Sequence, residues 1–324
     1  MTINWGIIGT GGIAHTFADD FSFAQAGELT AVASRAQERA DDFAAEYNLP
    51  KAYGSYEDLA ADDEIDVVYI ATPHSEHYDN TMLCLENNKA VLCEKPIAVN
   101  SDQLEKMIAK AKEENLFLME ALWTYFLPPI LKAKEWIEEG KIGQVKVVEA
   151  NFGIRREIKP EGRLFNSELA GGSLLDVGIY PIALANLVID SELDTVTSVA
   201  NLGSTGVDEE TAISLKFKGG EIAQLTSSLR TELNNIGYIY GTEGQIRLPD
   251  FWQTDQAVLE VNGEQETFTD HRETAGYNYE AEAVAEKLQS EKLESDKVSL
   301  AESRKIMQIM DKVRKQINLH YPFE

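Results

Sequence analysis

Cysteine is nearly absent from this chain. Two occur in 324 residues, Cys84 and Cys93, both in apolar surroundings. Two thiols build neither a disulfide framework nor a metal-binding framework, so reduced core thiols in a soluble cytoplasmic protein are expected. Positive charge is scarce as well: 29 Lys+Arg stand against 55 Asp+Glu, a formal net charge of −26. That field repels nucleic-acid phosphates and anionic membranes, and neither is expected as a partner. It does not forbid a phosphate-bearing cofactor, because backbone N–H groups bind phosphate locally whatever the net charge. No basic leader with a cleavage pattern is found, no apolar run approaches membrane-spanning length, and no internal repeat or low-complexity tract occurs. What is present is material for a packed core, with 44% hydrophobic residues and length enough for two domains.

The stretch Ala90-Val91-Leu92-Cys93-Glu94-Lys95-Pro96 organises the reading. Four apolar residues predict a short buried strand, which runs into an acid, a base and a proline. Ligands of an open parallel sheet sit outside the carboxyl ends of its strands, so Lys95 emerges where cofactor and substrate could meet. Taken alone, Lys95 reads equally well as a strand-end lysine facing water. The surroundings favour the first reading. A strand at residues 3–8 leads into Gly9-Thr10-Gly11-Gly12-Ile13-Ala14, a G-x-G-x-x-A turn. Its glycines allow a tight turn and close approach to a pyrophosphate, and the next helix aims its N-terminus at that group. A second strand at 29–33 ends in Ser34-Arg35, with Arg39 one turn further on. An acid there would bind the ribose 2′-hydroxyl of NAD; a hydroxyl and guanidinium groups suit the 2′-phosphate of NADP. NADP is therefore expected over NAD, the alternative being that Arg35 is a solvated helix-start residue.

A third strand at 66–71 is followed by Thr72-Pro73-His74-Ser75-Glu76-His77. Ala71, Thr72, Pro73 and His77 are assigned to the cofactor side; His74 and His77 alone do not make a metal site, and no metal is expected. Helices at 76–87 and around Leu104, Met107, Ile108 and Ala111, the latter with Asp102 and Glu105 as a capping pair, and a strand at 116–120 complete the alternation. Strands separated by helices predict an α/β fold whose first domain, residues 1–121, is a doubly wound parallel sheet that binds a dinucleotide.

Beyond residue 121 the pattern changes. An aromatic cluster with Trp123 precedes Pro128-Pro129 and a helix to about residue 139. Strand-like runs follow at 145–152, 194–202, 211–218, 221–230, 235–241, 245–248, 257–261 and 266–269, with Gly219-Gly220 as a hairpin signal. They predict a large, mostly antiparallel open sheet in a second α/β domain, residues 122–324, that binds substrate. A helix at 172–189 interrupts them and carries Asp176 and Tyr180 four residues apart, on one face. Gly171 and Gly172 before it are read as space for a ligand. An acid and a phenol so placed can orient and deprotonate a hydroxyl, although Tyr180 could instead be core and Asp176 a backbone partner. Two helices close the chain, the last opened by Ser299 and Glu302 as a capping box and striped by Ile306, Met310, Val313 and Ile317.

The G-x-G-x-x-A turn, Glu94-Lys95-Pro96, and Asp176-x-Gly178-x-Tyr180-Pro181 resemble the Gfo/Idh/MocA oxidoreductase family, in its order and spacing and over essentially the whole chain. The stretches Lys51-Ala52-Tyr53-Gly54-Ser55-Tyr56 and Gly171-Gly172-x-Leu174-Leu175-Asp176 are most similar to the branch of dimeric dihydrodiol dehydrogenases and NADP-dependent D-xylose dehydrogenases. The resemblance implies a Rossmann domain, a homodimer through the C-terminal sheet, and catalytic Lys95, Asp176 and Tyr180. It further implies that Trp123, Phe152, Asp176, Tyr180 and Trp252 bind a small sugar or diol. Hydride would pass between the nicotinamide and a hydroxyl-bearing carbon, at C1 of an aldose such as D-xylose or in a trans-dihydrodiol. The family also implies an alternative, a non-catalytic NADP-binding regulatory protein of the same fold.

Overall fold

The apolar runs of the first third become parallel strands in the computed structural model, which describes residues 2–324. The chain runs β1 (Asn4–Ile8), α1 (Gly12–Phe21), β2 (Glu28–Ala33), α2 (Gln37–Tyr47), β3 (Lys51–Tyr53), α3 (Tyr56–Ala60), β4 (Val67–Ile70), α4 (His77–Glu86), β5 (Ala90–Glu94), α5 (Ser101–Glu113) and β6 (Leu118–Ala121). The six strands lie in the order β3-β2-β1-β4-β5-β6, all parallel. β4, β5 and β6 are buried along their whole length, as strands covered by helices on both faces must be. The order reverses between β1 and β4, which places the ligand crevice of such a sheet at their carboxyl ends. The expected capping pair of α5 is not the one used. Asn100 caps it, accepting the Gln103 N–H at 2.9 Å, while Asp102 pairs with Lys106 and Glu105 takes both arms of Arg304. The amide of Asn100 sits one step before the first turn, where its oxygen reaches the free donors.

The second part contains α6 (Pro128–Glu138), β7 (Val145–Gly153), α7 (Ile179–Val188), β8 (Leu193–Leu202), β9 (Asp208–Phe217), β10 (Ile222–Ser228), β11 (Gly237–Gly241), β12 (Gly244–Leu248), β13 (Gln256–Val261), β14 (Glu264–Thr269), α8 (Tyr277–Gln289) and α9 (Leu300–Ile317). The eight strands are ordered β14-β13-β12-β11-β7-β10-β9-β8. All pair antiparallel except β7 with β10, which run parallel at the centre. Alternation sorts the faces. Val148, Ala150, Phe152, Ile213, Leu215, Ala223 and Leu225 are buried, with α7 on that side, whereas Glu149, Thr197, Val199, Ala212 and Gln224 point the other way and are exposed. The helical segment Ser167–Val188 corrects one expectation: it is long and apolar enough to cross a bilayer, yet 89% of its apolar window is buried within the protein.

The chain forms two compact units, one of residues through Trp123 with Glu273–Arg304, the other Thr124–Arg272 with Lys305–Glu324. Within the first unit, Asp20 on α1 accepts the backbone N–H groups of Ala275, Gly276 and Tyr277 at 3.0, 2.7 and 2.8 Å, and so caps α8 from outside its own helix.

Candidate active site

In the first unit, β1 turns into α1 through Gly9, whose φ is +104°. A Cβ there would lie 2.7 Å from the Ala71 carbonyl oxygen, so only glycine fits between the ends of β1 and β4. Gly11 and Gly12 are exposed, a Cβ on either would meet no atom within 4 Å, and no side chain caps α1. An uncapped, glycine-lined helix N-terminus offers its N–H groups to an anion. Ile13 follows, half-buried, as the second residue of α1. Thr10 reaches the buried Ser34 at 3.5 Å between their hydroxyl oxygens. Arg35 follows it in the chain and Arg39 lies in the first turn of α2, both exposed.

Lys95 follows the last residue of β5, half-buried, on a backbone fastened from several directions. Its N–H donates to Glu94 Oε2 at 3.2 Å, and the Tyr69 hydroxyl donates to Glu94 Oε1 at 2.5 Å. Tyr69 itself stacks on Phe17, centroids 3.8 Å apart. The Lys95-Pro96 peptide is cis. The Pro96 carbonyl lies 2.8 Å from His77 Nδ1, and the Thr72 carbonyl 2.9 Å from Nε2. His77 is fully buried, so its ring clasps these two loops together and presents no face outward. Ala71 and Thr72 are buried and Pro73 is half-buried; Asn80 donates to the Thr72 hydroxyl at 3.1 Å. Below, the Ile97 N–H donates to Glu120 at 3.0 Å. Burial pushes the Glu120 carboxyl up to about 7, and burial, with Glu94 and Asp20 nearby, pushes Glu280 well above the carboxylate range. Trp123, 1% exposed, stacks on Tyr277 at 4.6 Å and 21°.

In the second unit, Asp176 lies within a π-helical turn, Leu174–Gly178, that opens directly into α7. Pro181 explains the widened turn: it has no N–H to give, and its ring crowds the carbonyl one turn back. Asp176 and Tyr180 are buried, at 4% and 6% exposure. Tyr180 meets an aromatic wall. Its ring centroid is 5.5 Å from Phe152 and 6.1 Å from Trp252, and Phe152 and Trp252 stack at 4.7 Å and 16°. Thr124 donates to the Trp252 carbonyl at 2.7 Å and holds that loop residue in place.

Two features were not legible beforehand. Arg163 donates through Nη1 to Asp176 Oδ1 at 2.6 Å. The room beside Gly171 and Gly172 is not ligand space: a Cβ on Gly171 would lie 2.7 Å from the Arg163 and Leu164 carbonyls, and one on Gly172 2.2 Å from Asp208 Oδ1. Arg163 sits in a loop without periodicity, 13 residues from its partner, and only the glycine pair hinted that another segment lies against the helix.

A parallel sheet with a G-x-G-x-x-A turn at its switch point, in one chain with an open-sheet unit bearing a buried acid and phenol, defines a nicotinamide-dependent oxidoreductase of two units. The chain belongs to the Gfo/Idh/MocA family: residues 3–122 match its oxidoreductase domain with the NAD-binding Rossmann fold, and residues 130–247 match its C-terminal domain. Among curated relatives, trans-1,2-dihydrobenzene-1,2-diol dehydrogenase of Mus musculus is 37% identical over 99% of both chains. That of Xenopus laevis is 40% identical over 99% of this chain and all of its own. Among solved structures, KijD10, a 3-ketoreductase from Actinomadura kijaniata in complex with NADP and TDP-benzene, is 27% identical with a TM-score of 0.88 over 98% of each chain.

Proposed function

We propose that this oxidoreductase removes hydride from a hydroxyl-bearing carbon of a sugar, at C1 of an aldose such as D-xylose, or of a trans-dihydrodiol, with NADP as acceptor. The full-length similarity to trans-dihydrodiol dehydrogenases supports the diol, and the NADP complex of the ketoreductase supports the cofactor. The observation that carries the reading is Tyr180, buried four residues from Asp176 and walled by Phe152 and Trp252. Flat aromatic faces suit the C–H face of a pyranose or an arene ring, and the phenol and carboxylate fix a hydroxyl against them.

The first unit serves as the dinucleotide domain, with Gly9, Thr10, Gly11, Gly12 and Ile13 at the pyrophosphate. Ser34, Arg35 and Arg39 receive the 2′-phosphate, Ala71, Thr72 and Pro73 line the nicotinamide side, and His77 and Glu94 hold that side in shape. Bound NADP supplies the hydride-accepting ring. Tyr180 takes the hydroxyl proton as the hydride leaves. A free phenol ionises near pH ~10, too high for an effective base at neutral pH, and a cation lowers that value; the reading gives Lys95, at the carboxyl end of β5, that catalytic role. Asp176 holds the substrate hydroxyl in register against Phe152 and Trp252, and the reading assigns Trp123 to substrate binding as well. The protein acts as a cytoplasmic homodimer through the exposed face of the eight-stranded sheet. Supporting the dimer, Val199 is 71% exposed there amid small, largely uncharged neighbours.

Turnover of a panel of aldoses, polyols and dihydrodiols with NADP and NAD, followed at the nicotinamide absorbance, tests the reading. Tyr180→Phe should lower kcat by about 10²–10⁴-fold and leave NADP affinity unchanged. Wild-type turnover in that variant, or no turnover of any panel member by the native protein, overturns it.

A further inference from the structure

Asp176 is a buried carboxylate, and a buried charge without a partner is costly. Arg163 meets it at 2.6 Å, yet the two side chains differ sharply in setting: Asp176 is 5% exposed and Arg163 is 55% exposed. A surface ion pair between two mobile side chains contributes little. This pair is not of that kind, because the backbone beneath Arg163 is tied to the start of the helix that carries Asp176.

The ties are specific. Gly162 donates to the Lys159 carbonyl at 2.8 Å and Phe165 donates to the Gly162 carbonyl at 3.0 Å, so Arg163 lies within consecutive turns. Phe165 is 2% exposed and anchors the segment in the core. Gly172 donates to the Leu164 carbonyl at 2.9 Å, and Gly171 lacks the Cβ that would strike the Arg163 carbonyl at 2.7 Å. The residues that locate the π-turn therefore also locate the arginine. The loop is basic besides: residues 154–163 hold Arg155, Arg156, Lys159 and Arg163 against Glu157 and Glu161, in a chain whose formal charge is −26. A planar guanidinium presents its donors to a carboxylate in a fixed fork, which an ammonium cannot do.

We infer that Arg163 is a positioning residue for the proposed reaction, holding the Asp176 carboxylate aimed so that it accepts the substrate hydroxyl. It acts through Asp176 and takes no proton or hydride itself. The inference rests on the functional reading above, in which Asp176 orients the substrate.

The test uses full-length protein, the preferred substrate from the panel, and the variants Arg163→Ala, Arg163→Lys, Asp176→Asn and the double variant R163A/D176N. Arg163→Ala should lower kcat by about 10²-fold, the scale of a displaced orienting group, with NADP affinity unchanged. Because the side chain is open to solvent, millimolar guanidinium chloride should restore at least part of that loss, while sodium chloride at equal concentration should not. Arg163→Lys should fall between the two, since an ammonium keeps the charge but not the fork. The double variant should be no slower than Asp176→Asn, as for residues acting as one unit. Wild-type kcat in Arg163→Ala, or a loss that guanidinium leaves untouched and that adds to the loss from Asp176→Asn, overturns the inference. If Tyr180→Phe abolishes turnover while Arg163→Ala behaves as wild type, only this inference falls; if Tyr180→Phe turns over normally, the functional reading beneath it falls.

Discussion

Gly172 and Asp208 share a space that admits no further atom: a Cβ on Gly172 would stand 2.2 Å from Asp208 Oδ1, and Gly172 has a φ of +121°. The other carboxylate oxygen, Oδ2, accepts from the Ser173 hydroxyl, the Leu174 N–H and the Thr211 hydroxyl, each at 2.7 Å. β9 thus grips the first residues of the helix that carries Asp176 and Tyr180. Gly172→Ala should destabilise the fold by about 2–4 kcal/mol, combining a left-handed backbone with a clash against a buried carboxylate. Urea unfolding measures it, and an unchanged midpoint would show that the contact yields easily.

Asp208 also predicts a pH dependence. Burial pushes its carboxyl up to about 6 from the ordinary 3.8. The folded value lies above the unfolded one, so the stability it lends is whole below about pH 3.8 and is lost as the pH climbs to about 6. Asp208→Asn keeps an acceptor for the three donors and has no proton to lose. The native protein should therefore lose stability relative to Asp208→Asn across that interval, by an amount on the order of 3 kcal/mol, and change little above it. Paired urea titrations between pH 4 and pH 7 read this out. A difference that runs in the opposite direction contradicts it.

Arg35 and Arg39 are exposed, and the proposed 2′-phosphate site depends on their guanidinium groups. Replacing both with alanine should raise the KM for NADP by about tenfold or more, the loss of charge-assisted hydrogen bonds, and leave that for NAD within about twofold. Equal losses with the two cofactors would remove these arginines from 2′-phosphate recognition.

The open sheet face makes a prediction about assembly. Light scattering should give twice the chain mass of 36.0 kDa. Val199→Asp should shift the protein toward the single-chain mass with its fold retained by circular dichroism. A native protein that already runs at the single-chain mass refutes the dimer.

Much of the first sheet was readable because its strands are short apolar blocks flanked by turn residues, and the structure moves their ends by one or two positions. β3 was not found: Lys51, Ala52 and Tyr53 are three half-buried residues at a sheet edge, too few to show a period. For α5, Asp102 and Glu105 had the right chemistry, but the chain enters the helix two residues earlier, at Asn100. In the second sheet, the strand-like runs and the Gly219-Gly220 turn pointed to hairpins and were silent on pairings distant in sequence, so the parallel β7–β10 pair stayed hidden. In the candidate site, Asp176 and Tyr180 could be found from their spacing. Their support could not, because Arg163 and Asp208 reach them from segments whose approach no local pattern encodes.

The return of residues 273–304 to the first unit bears on how the protein is made. Asp20 waits for Gly276 and Tyr277, which leave the ribosome only after all fourteen strands have been synthesised. The part of the chain that is translated first is therefore the part that must finish folding late.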